Sequence, residues 1–454
     1  MILTILLGIV GLGLMIFVHE LGHFIAARLT GVHVEVFSLG WGTKLVGFTR
    51  GGTTYQVSWI PIGGYCKFKG EITVGLAGGR TEAEQRPEKG SFQSAAPWRR
   101  IVIAAFGSLF NLLFAVLAFT LIWWAGFRVF SADNRVVAAT DYTLDSFSEP
   151  PPATVAGLRT GDRVLAIDGA SIDKFQDLLE IVTISSGKVL RFTIQRGSEN
   201  LTLSVGTMLD KSTGAGKIGV YSWVDPLIDT VAQGSASAIA GLRKGDRIIK
   251  AGEREIRNTI DLYQELASRP ASLIVAYERQ GAVERTPVVL MYDDQGAPNL
   301  GLAFLSPVYR SPRLGLPRAF AKSLEETWHT AALTFKGIGL LFKGINLRSA
   351  VAGPLRITYY IGTAATSGFQ LGFGVGVVAF FRFLAFLSVV LFLMQLLPIP
   401  AMDGGQIIVF AAEAIRGKPA PPKILWRIQF VGFSLLIVLS VFVLFSDVLF
   451  LLGR

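Results

Sequence analysis

Cysteine and charged side chains are both scarce in this sequence. Its 454 residues include one cysteine, Cys66, which excludes a disulfide within the chain, so that any polar region must be held together by its own core. Charged residues make up 17% of the chain and hydrophobic residues 51%. This balance indicates an integral membrane protein that also carries a sizeable polar portion.

A basic helix suited to reading nucleotide bases is also missing, although the formal net charge is +10. Lys and Arg concentrate in short loops beside apolar runs, as expected for cytoplasmic loops that face an anionic membrane surface. We therefore expect membrane lipid, and no nucleic acid, among the partners of this chain.

Four long apolar runs predict transmembrane helices at about residues 2–27, 101–126, 373–397 and 430–452. The first run has no basic leading segment and no clear small-residue cleavage site, so we expect a retained span and not a signal peptide. The segment from Arg28 to Arg100 is rich in Lys and Arg, which predicts that it lies on the cytoplasmic side. The polar region after the second run is then expected outside the cytoplasm.

The first apolar run contains His19-Glu20-Leu21-Gly22-His23. Two histidines four positions apart project from one helix face and can hold one zinc ion, while Glu20 lies beside that face, where it can act on a zinc-bound water. The alternative is two polar residues near a helix end. Because ionisable side chains within a membrane span usually serve a site, the position of the motif favours the zinc site.

A candidate third ligand, Asp403, follows the third apolar run in Leu396-Leu397-Pro398-Ile399-Pro400-Ala401-Met402-Asp403-Gly404-Gly405. The prolines halt the helix and the glycines free the backbone, so we expect Asp403 at a membrane depth comparable to the two histidines. A carboxylate would complete a His-His-carboxylate zinc site with one position left for water. Taken alone, an Asp-Gly-Gly turn is also ordinary loop chemistry.

A β segment is predicted after the first span. Val34–Leu39 and Thr54–Ile60 alternate as strands do, Pro61–Tyr65 is typical of a turn, and Glu71–Gly90 is typical of a flexible loop. One interpretation is a strand edge, with Gly63 and Gly64 beside it, that binds an unwound substrate by β-addition. The other is a structural hairpin that caps the site.

Asn111 lies in the middle of the second apolar run. It could form a hydrogen bond between helices, or it could point at the zinc site and orient a substrate carbonyl. Residues 317–345 place apolar side chains on one helical face and charged ones on the others, which predicts an amphipathic helix on the outer membrane surface. His329 on that helix is not expected to be a metal ligand.

An internal repeat occupies the polar region. Ala156-Gly157-Leu158-Arg159-Thr160-Gly161-Asp162-Arg163-Val164 recurs 84 residues later (241 − 157 = 84) as Ala240-Gly241-Leu242-Arg243-Lys244-Gly245-Asp246-Arg247-Ile248. A helical stretch and then a strand follow each copy, which indicates two small domains. The pattern resembles a PDZ domain, at 135–220 and again at 221–306. PDZ domains bind an extended peptide along a strand edge. Here the grooves could take peptides, exclude substrates by size, or bind nothing.

In this order, the His-Glu-x-x-His motif, Gly107-x-x-x-Asn111, the tandem PDZ-like repeats and Leu-Pro-x-Pro-x-x-Asp-Gly-Gly cover nearly the whole chain. The sequence resembles the site-2 proteases, intramembrane zinc metalloproteases, in their regulator-of-sigma-E branch. The resemblance implies zinc ligands at His19, His23 and Asp403 and a catalytic base at Glu20. It also implies substrate contacts at Asn111 and size exclusion by the PDZ pair.

The fold implied is a polytopic α-helical membrane protein of the bacterial inner membrane, with about four transmembrane helices, a membrane-associated β-hairpin and two inserted PDZ domains on the periplasmic side. Its membrane halves would be residues 1–130 and 373–454. The substrates implied are single-span membrane proteins, such as an anti-sigma factor already cut on its outer side, and remnant signal peptides.

Two positions depart from the family pattern. Gln395 stands where asparagine is usual, which puts its expected substrate contact in doubt, and Gln406 stands where histidine is common. A catalytically silent PDZ scaffold at the membrane is the main alternative function. A zinc-using transporter is disfavoured because the spans show no inverted repeat.

Overall fold

The structure, a computed structural model, describes residues 1–70, 89–142, 149–210, 215–292, 298–341, 352–418 and 421–452. They belong to two compact units. The helical unit contains the described residues of Met1–Phe127 and those from Ser311 onward, and the repeat unit contains those of Arg128–Arg310. The flexible loop predicted at Glu71–Gly90 lies almost entirely outside the described residues.

Helices build most of the helical unit. Numbered along the whole chain, they are α1 (Ile2–Thr30), α2 (Pro97–Ala125), α7 (Leu316–Leu341), α8 (Pro354–Gln370), α9 (Phe373–Gln395), α10 (Asp403–Arg416) and α11 (Pro422–Leu451). Among the described residues, α1, α2, α9 and α11 are long and apolar enough to cross a membrane, at the four places that the sequence predicted. Helix α1 ends at Gly31, whose φ of 77° suits glycine, and Pro97 begins α2.

Two helices of this unit are absent from the sequence-based prediction. Helix α8 begins at Pro354, and it packs against α1 so closely that a Cβ at Gly8 would overlap the Thr358 carbonyl. Helix α10 begins at Asp403, so the interpretation of Asp-Gly-Gly as a loop is wrong. An acidic first residue favours a helix N-terminus, and buried Phe410 anchors this helix to its surroundings.

The β segment is longer than predicted and consists of β1 (Val34–Arg50) and β2 (Thr53–Phe68), paired antiparallel. Val36 pairs with both Thr54 and Lys67, so the first part of β1 lies between the two ends of β2. The turn predicted at Pro61–Tyr65 falls within β2, where the chain does reverse between Val57 and Gly64: Leu39 pairs with both of these residues, and Gly63 has a φ of 99°. A further reversal, between β1 and β2, lies at Gly51 and Gly52, both of which have positive φ.

Helix α7 separates an apolar face from a small polar face. Its buried residues include Ala319, Ser323, Thr327 and Thr330, and Ser323 accepts a hydrogen bond of 2.8 Å from Thr120 of α2. Phe320, Leu324, Trp328 and Phe335 are exposed. The helix is therefore attached to its unit by small residues, and its large apolar side chains are left for a surrounding such as lipid.

Two four-stranded sheets of identical strand order form the centre of the repeat unit. The strands of the first are β6 (Ala170–Ser171), β5 (Arg163–Ile167), β7 (Val189–Arg196) and β8 (Glu199–Gly206), and those of the second are β14 (Arg254–Glu255), β13 (Arg247–Ala251), β15 (Ser272–Arg279) and β16 (Ala282–Val289).

Each sheet packs under a helix, α4 (Phe175–Thr183) or α6 (Thr259–Leu266), and has its own hydrophobic core. The shorter elements are α3 (Pro152–Val155), α5 (Ala236–Ile239), β3 (Arg128–Phe130), β4 (Val136–Ala138), β9 (Met208–Leu209), β10 (Gly216–Lys217), β11 (Val220–Ser222), β12 (Ile228–Val231), β17 (Met291–Tyr292), β18 (Pro298–Asn299), β19 (Leu302–Phe304) and β20 (Val308–Arg310).

The repeated Gly-Asp motif supplies one buried ion pair per repeat. Asp246, 1% exposed, accepts two hydrogen bonds of 2.7 Å from Arg279 and one from the backbone N–H of Arg243. Asp162 and Arg196 repeat the arrangement in the first copy. Burial by itself would raise the pKa of the Asp246 carboxyl, but the bonds from Arg279 and Arg243 outweigh it and hold this pKa below its usual value.

We expect Asp246→Asn to loosen the second repeat, because the substitution leaves Arg279 without its buried counter-ion. Amide hydrogen exchange of the full chain should show protection in β13 and β15 falling roughly tenfold at pH 7. Because the native pKa of Asp246 is depressed, its contribution is present above the unfolded-state value near 4 and is lost as pH falls through the native value. The wild type should therefore approach the variant in acid. Glu253→Gln, which removes a fully exposed carboxylate paired with Lys250, should change nothing, and unaltered protection in Asp246→Asn would contradict the expectation.

The two repeats contact each other through Tyr142. Its hydroxyl donates a 2.8 Å hydrogen bond to Asp261 and accepts one of 3.3 Å from Asn258. Burial, reinforced by Asp261, raises the pKa of Tyr142 to about 12. Val137 and Trp223 pack around the ring, so a polar bond inside an apolar cluster fixes one repeat to the other.

Candidate metal centre

Three side chains of ligand type meet in the helical unit. His19 and His23 come from α1 and Asp403 from the start of α10, and one ligand atom of each lies within 4.8 Å of the others. The two Nε2 atoms are 3.2 Å apart, and Asp403 Oδ2 and Oδ1 lie 3.7 Å from His19 Nε2 and 3.5 Å from His23 Nε2. Two atoms that are each about 2.1 Å from one zinc ion lie about 3.4 Å apart in a tetrahedral site. The donor set and its spacing therefore fit zinc.

Close contact between α1 and α2 shapes this centre. A Cβ at Gly22 would overlap the Phe106 carbonyl, and a Cβ at Gly107 would overlap the His23 ring. The two glycines let the helices approach until the imidazoles lie against the backbone of α2. Close packing of the two helices thus explains why each motif has a glycine: Gly22 in His-Glu-Leu-Gly-His and Gly107 in Gly-x-x-x-Asn.

The backbone after α9 brings Asp403 to the histidines. Ala401 has a φ of 75°, and a Cβ at Gly404 or Gly405 would overlap the carbonyl of Leu396 or Ile399. The chain folds back tightly enough to start α10 only because these positions have no side chain. This explains the two glycines that follow the aspartate.

Helix α2 contacts all three candidate ligands from outside. The Ile103 carbonyl lies 2.8 Å from His23 Nδ1, Asn111 Nδ2 lies 3.2 Å from His19 Nδ1, and Ser108 Oγ donates a 2.7 Å hydrogen bond to Asp403 Oδ2. A proton held on Nδ1 by a carbonyl leaves Nε2 free to bind a metal. Neither Ser108 nor Ile103 was predicted from the sequence to have a role. Their helical spacing from Asn111 on the face toward α1 could have indicated them.

Glu20 lies beside the candidate ligands without joining them. It is buried at 9% exposure, and a Cβ at Gly64 would come within 3.1 Å of its Cγ. The structure thus brings Gly64 of β2 to Glu20, whereas Gly63 packs under the Trp41 ring. Cys66 Sγ donates a weak hydrogen bond of 3.5 Å to the Glu20 carbonyl.

Asn111, Gln395 and Gln406, the remaining residues singled out from the sequence, lie in different surroundings. Asn111 is fully buried against His19, and its Oδ1 has no hydrogen-bond partner among the described residues. Gln395 is the last residue of α9 and is half-buried, and within the described residues its side chain makes no hydrogen bond to the three candidate ligands. Gln406 lies in the first turn of α10.

Known proteins resemble this chain over nearly its whole length. The model of Peptidase family M50 matches residues 7–439. A Treponema pallidum protein named "Putative zinc metalloprotease" is 34% identical over 450 residues, covering 99% of each chain. The Haemophilus influenzae "Regulator of sigma E protease" is 27% identical over 461 residues, covering 97% of each. These matches define a membrane metallopeptidase, and the chain belongs to peptidase family M50, the site-2 protease family, as the sequence predicted. It is therefore a hydrolase that acts on peptide bonds.

Among the solved structures that match is one that covers part of this chain. It is a PDZ domain of an SdrC-like protein from Listeria monocytogenes, which is 18% identical, with 19% of this chain and 90% of that chain covered at a TM-score of 0.17. A match at this level leaves the assignment of the repeats to their own motifs and strands.

Proposed function

We propose that this chain is an intramembrane zinc endopeptidase that cleaves single-span membrane proteins, with the ion held by His19, His23 and Asp403. One observation carries the proposal: three ligand atoms from opposite ends of the chain converge next to the buried carboxyl of Glu20. His19 and His23 lie within a helix long enough to span a bilayer, and Asp403 begins α10 a short segment after another such helix ends at Gln395. The relatives' names support zinc as the cofactor.

The residues divide the reaction between them. When bound, zinc supplies Lewis acidity toward a substrate carbonyl and toward water. Glu20 takes a proton from the attacking water and returns it to the leaving amine nitrogen. The burial of Glu20 keeps that proton from exchanging freely with bulk solvent. The Ile103 carbonyl holds the His23 ring by its Nδ1–H, so that the lone pair of Nε2 faces the centre.

Asn111 acts on His19 in the same way. A neutral imidazole with its metal-binding lone pair on Nε2 carries its proton on Nδ1, which needs an acceptor and not the amide nitrogen now beside it. We infer that the Asn111 amide is turned over, since oxygen and nitrogen of an amide are alike in shape and Oδ1 otherwise lacks a partner. The turned amide offers its NH₂ group to a substrate carbonyl, which unites the two roles considered for Asn111.

A helical substrate must unwind before it is cut, because its carbonyls are otherwise bonded within its own helix. The segment around Gly63 and Gly64 lies next to Glu20, where an extended substrate would add to β2. Gln395 keeps an amide that can donate and accept hydrogen bonds, although its side chain is longer than that of the usual asparagine. Helix-breaking residues in the substrate should therefore favour cleavage.

The repeat unit would consist of two PDZ domains on the periplasmic side of the inner membrane, since the Lys- and Arg-rich segment between α1 and α2 is expected in the cytoplasm. There the domains would exclude substrates with bulky outer domains. The Haemophilus influenzae relative is named for the regulation of sigma E, and the substrate that we propose is an anti-sigma factor already cut on its outer side. Remnant signal peptides, which have short outer stubs, fit the same rule.

The proposal is tested with the purified full chain in lipid vesicles and a model single-span protein that has a short outer stub. We expect a defined product, its loss after zinc is removed by a chelator, and its return when zinc is restored. A matched substrate with a folded outer domain should be cut more slowly. A zinc-loaded chain that yields no product from substrates of this type would favour the scaffold alternative.

A further inference from the structure

The Ser108 side chain is buried at the boundary between α2 and the candidate metal centre. It is 0% exposed, and its hydroxyl donates a 2.7 Å hydrogen bond to Asp403 Oδ2. The direction is fixed by chemistry, because an ionised carboxylate can only accept. A charge-assisted bond between two buried groups is among the stronger hydrogen bonds in a protein.

Residues next to Asp403 in the chain do not hold its side chain in place. It is the first residue of α10, the preceding Met402 gives no side-chain cap, and Gly404 and Gly405 have no side chains with which to hold it. Among the described residues, Ser108 is the only hydrogen-bond donor to the carboxylate, whose other contacts are the two histidines. The rotation of this side chain is therefore set from α2.

We propose that Ser108 is a positioning residue for the metal: it holds the Asp403 carboxylate in the orientation that binds zinc. The inference rests on the proposed function, since it takes Asp403 to be a ligand. One lone pair of Asp403 Oδ2 accepts the hydrogen of the Ser108 hydroxyl, and Asp403 Oδ1 remains 3.5 Å from His23 Nε2. Without the hydroxyl the carboxylate can rotate away, and the third ligand is available for only part of the time.

The helical unit offers a matched control. Ser388 of α9 is also 0% exposed, but its Oγ has no hydrogen-bond partner among the described residues. Ser388→Ala removes a buried hydroxyl without removing a bond. Ser108→Thr keeps the hydroxyl and adds one methyl group, so it tests for rescue.

The experiment measures the zinc dissociation constant of the purified full chain by competition with a chelator of known affinity. We expect Ser108→Ala to raise this constant roughly 10- to 100-fold, as is typical when a partner of a metal ligand is removed. Ser108→Thr should stay within a few-fold of the wild type, and Ser388→Ala should equal it. Thermal unfolding of each zinc-free variant reports whether the fold is retained.

The variants distinguish failure of the role of Ser108 from failure of the proposed ligand role of Asp403. If Asp403→Ala binds zinc as the wild type does, the proposed ligand set fails. If Asp403→Ala loses zinc but Ser108→Ala binds it normally, only the role of Ser108 fails. Equal weakening in Ser108→Ala and Ser388→Ala would also overturn that role, because it would reflect a general loss of packing.

Discussion

Glu20→Gln should reduce product formation by at least about 100-fold while the zinc content stays unchanged. A general base contributes roughly 10² to 10⁴ to the rate of a hydrolysis, and glutamine has the same shape without a group that can accept and return the proton. Glu20 is not one of the three residues whose ligand atoms converge, so the ion should remain bound. The measurement is cleavage of the short-stub substrate by equal amounts of both proteins, with zinc determined in each.

Glu20→Asp is the informative control, because it keeps the carboxylate but withdraws it by one methylene. We expect intermediate activity from it. Equal product from wild type and Glu20→Gln would remove Glu20 as the base. Loss of zinc from Glu20→Gln would instead make Glu20 part of the ligand set.

Gly107→Ala should lower zinc affinity roughly 100-fold or more and abolish cleavage, although alanine is the better helix former by about 1 kcal/mol. The added Cβ would overlap the His23 ring. Either the ring swings away from Asp403 and the Ile103 carbonyl, or α1 and α2 separate. Separation would break the close contact of Gly22 with the Phe106 carbonyl. Both responses remove His23 Nε2 from the centre.

Gly13→Ala is the matched control, since Gly13 lies on the same helix as His23 and a Cβ there meets nothing within 4 Å. We expect its zinc affinity and activity to equal those of the wild type, with stability the same or slightly higher. Zinc binding and cleavage are measured as for Glu20→Gln. A Gly107→Ala protein that binds one zinc with wild-type affinity would show that the histidine ring does not lie where the structure places it.

Much of the site could be predicted from local sequence because its parts are local. The spacing of His19 and His23 requires only that one segment be helical, which its apolar composition and length favour. The repeated Gly-Asp motif likewise predicted two units of equal pattern, and the described sheets share one strand order. In both cases the pattern itself is local, although the ion pair that Asp246 forms with Arg279 spans 33 positions.

Predictions failed where a segment is defined by what packs on it. Helix α8 has no apolar run long enough to predict a membrane span from the sequence. It packs against α1 at Gly8 and Gly362, where the lack of side chains allows close contact. The Asp-Gly-Gly segment is helical because α10, which begins there, packs against neighbouring elements through residues such as Phe410. Local propensity differs between these alternatives by about 1 kcal/mol or less per residue, so tertiary contacts decide.

The sequence by itself determined the four candidate spans, the two histidines on one helix face, the tandem repeats and the chemical types of the ligands, since hydropathy and helical periodicity act along the chain. Only the tertiary structure decided that Asp403, 380 residues after His23 (403 − 23 = 380), reaches the histidines and that Ser108 holds it there. That meeting depends on how closely α1, α2 and the start of α10 approach one another. The distance of approach is set by glycines whose neighbours lie far away in the sequence.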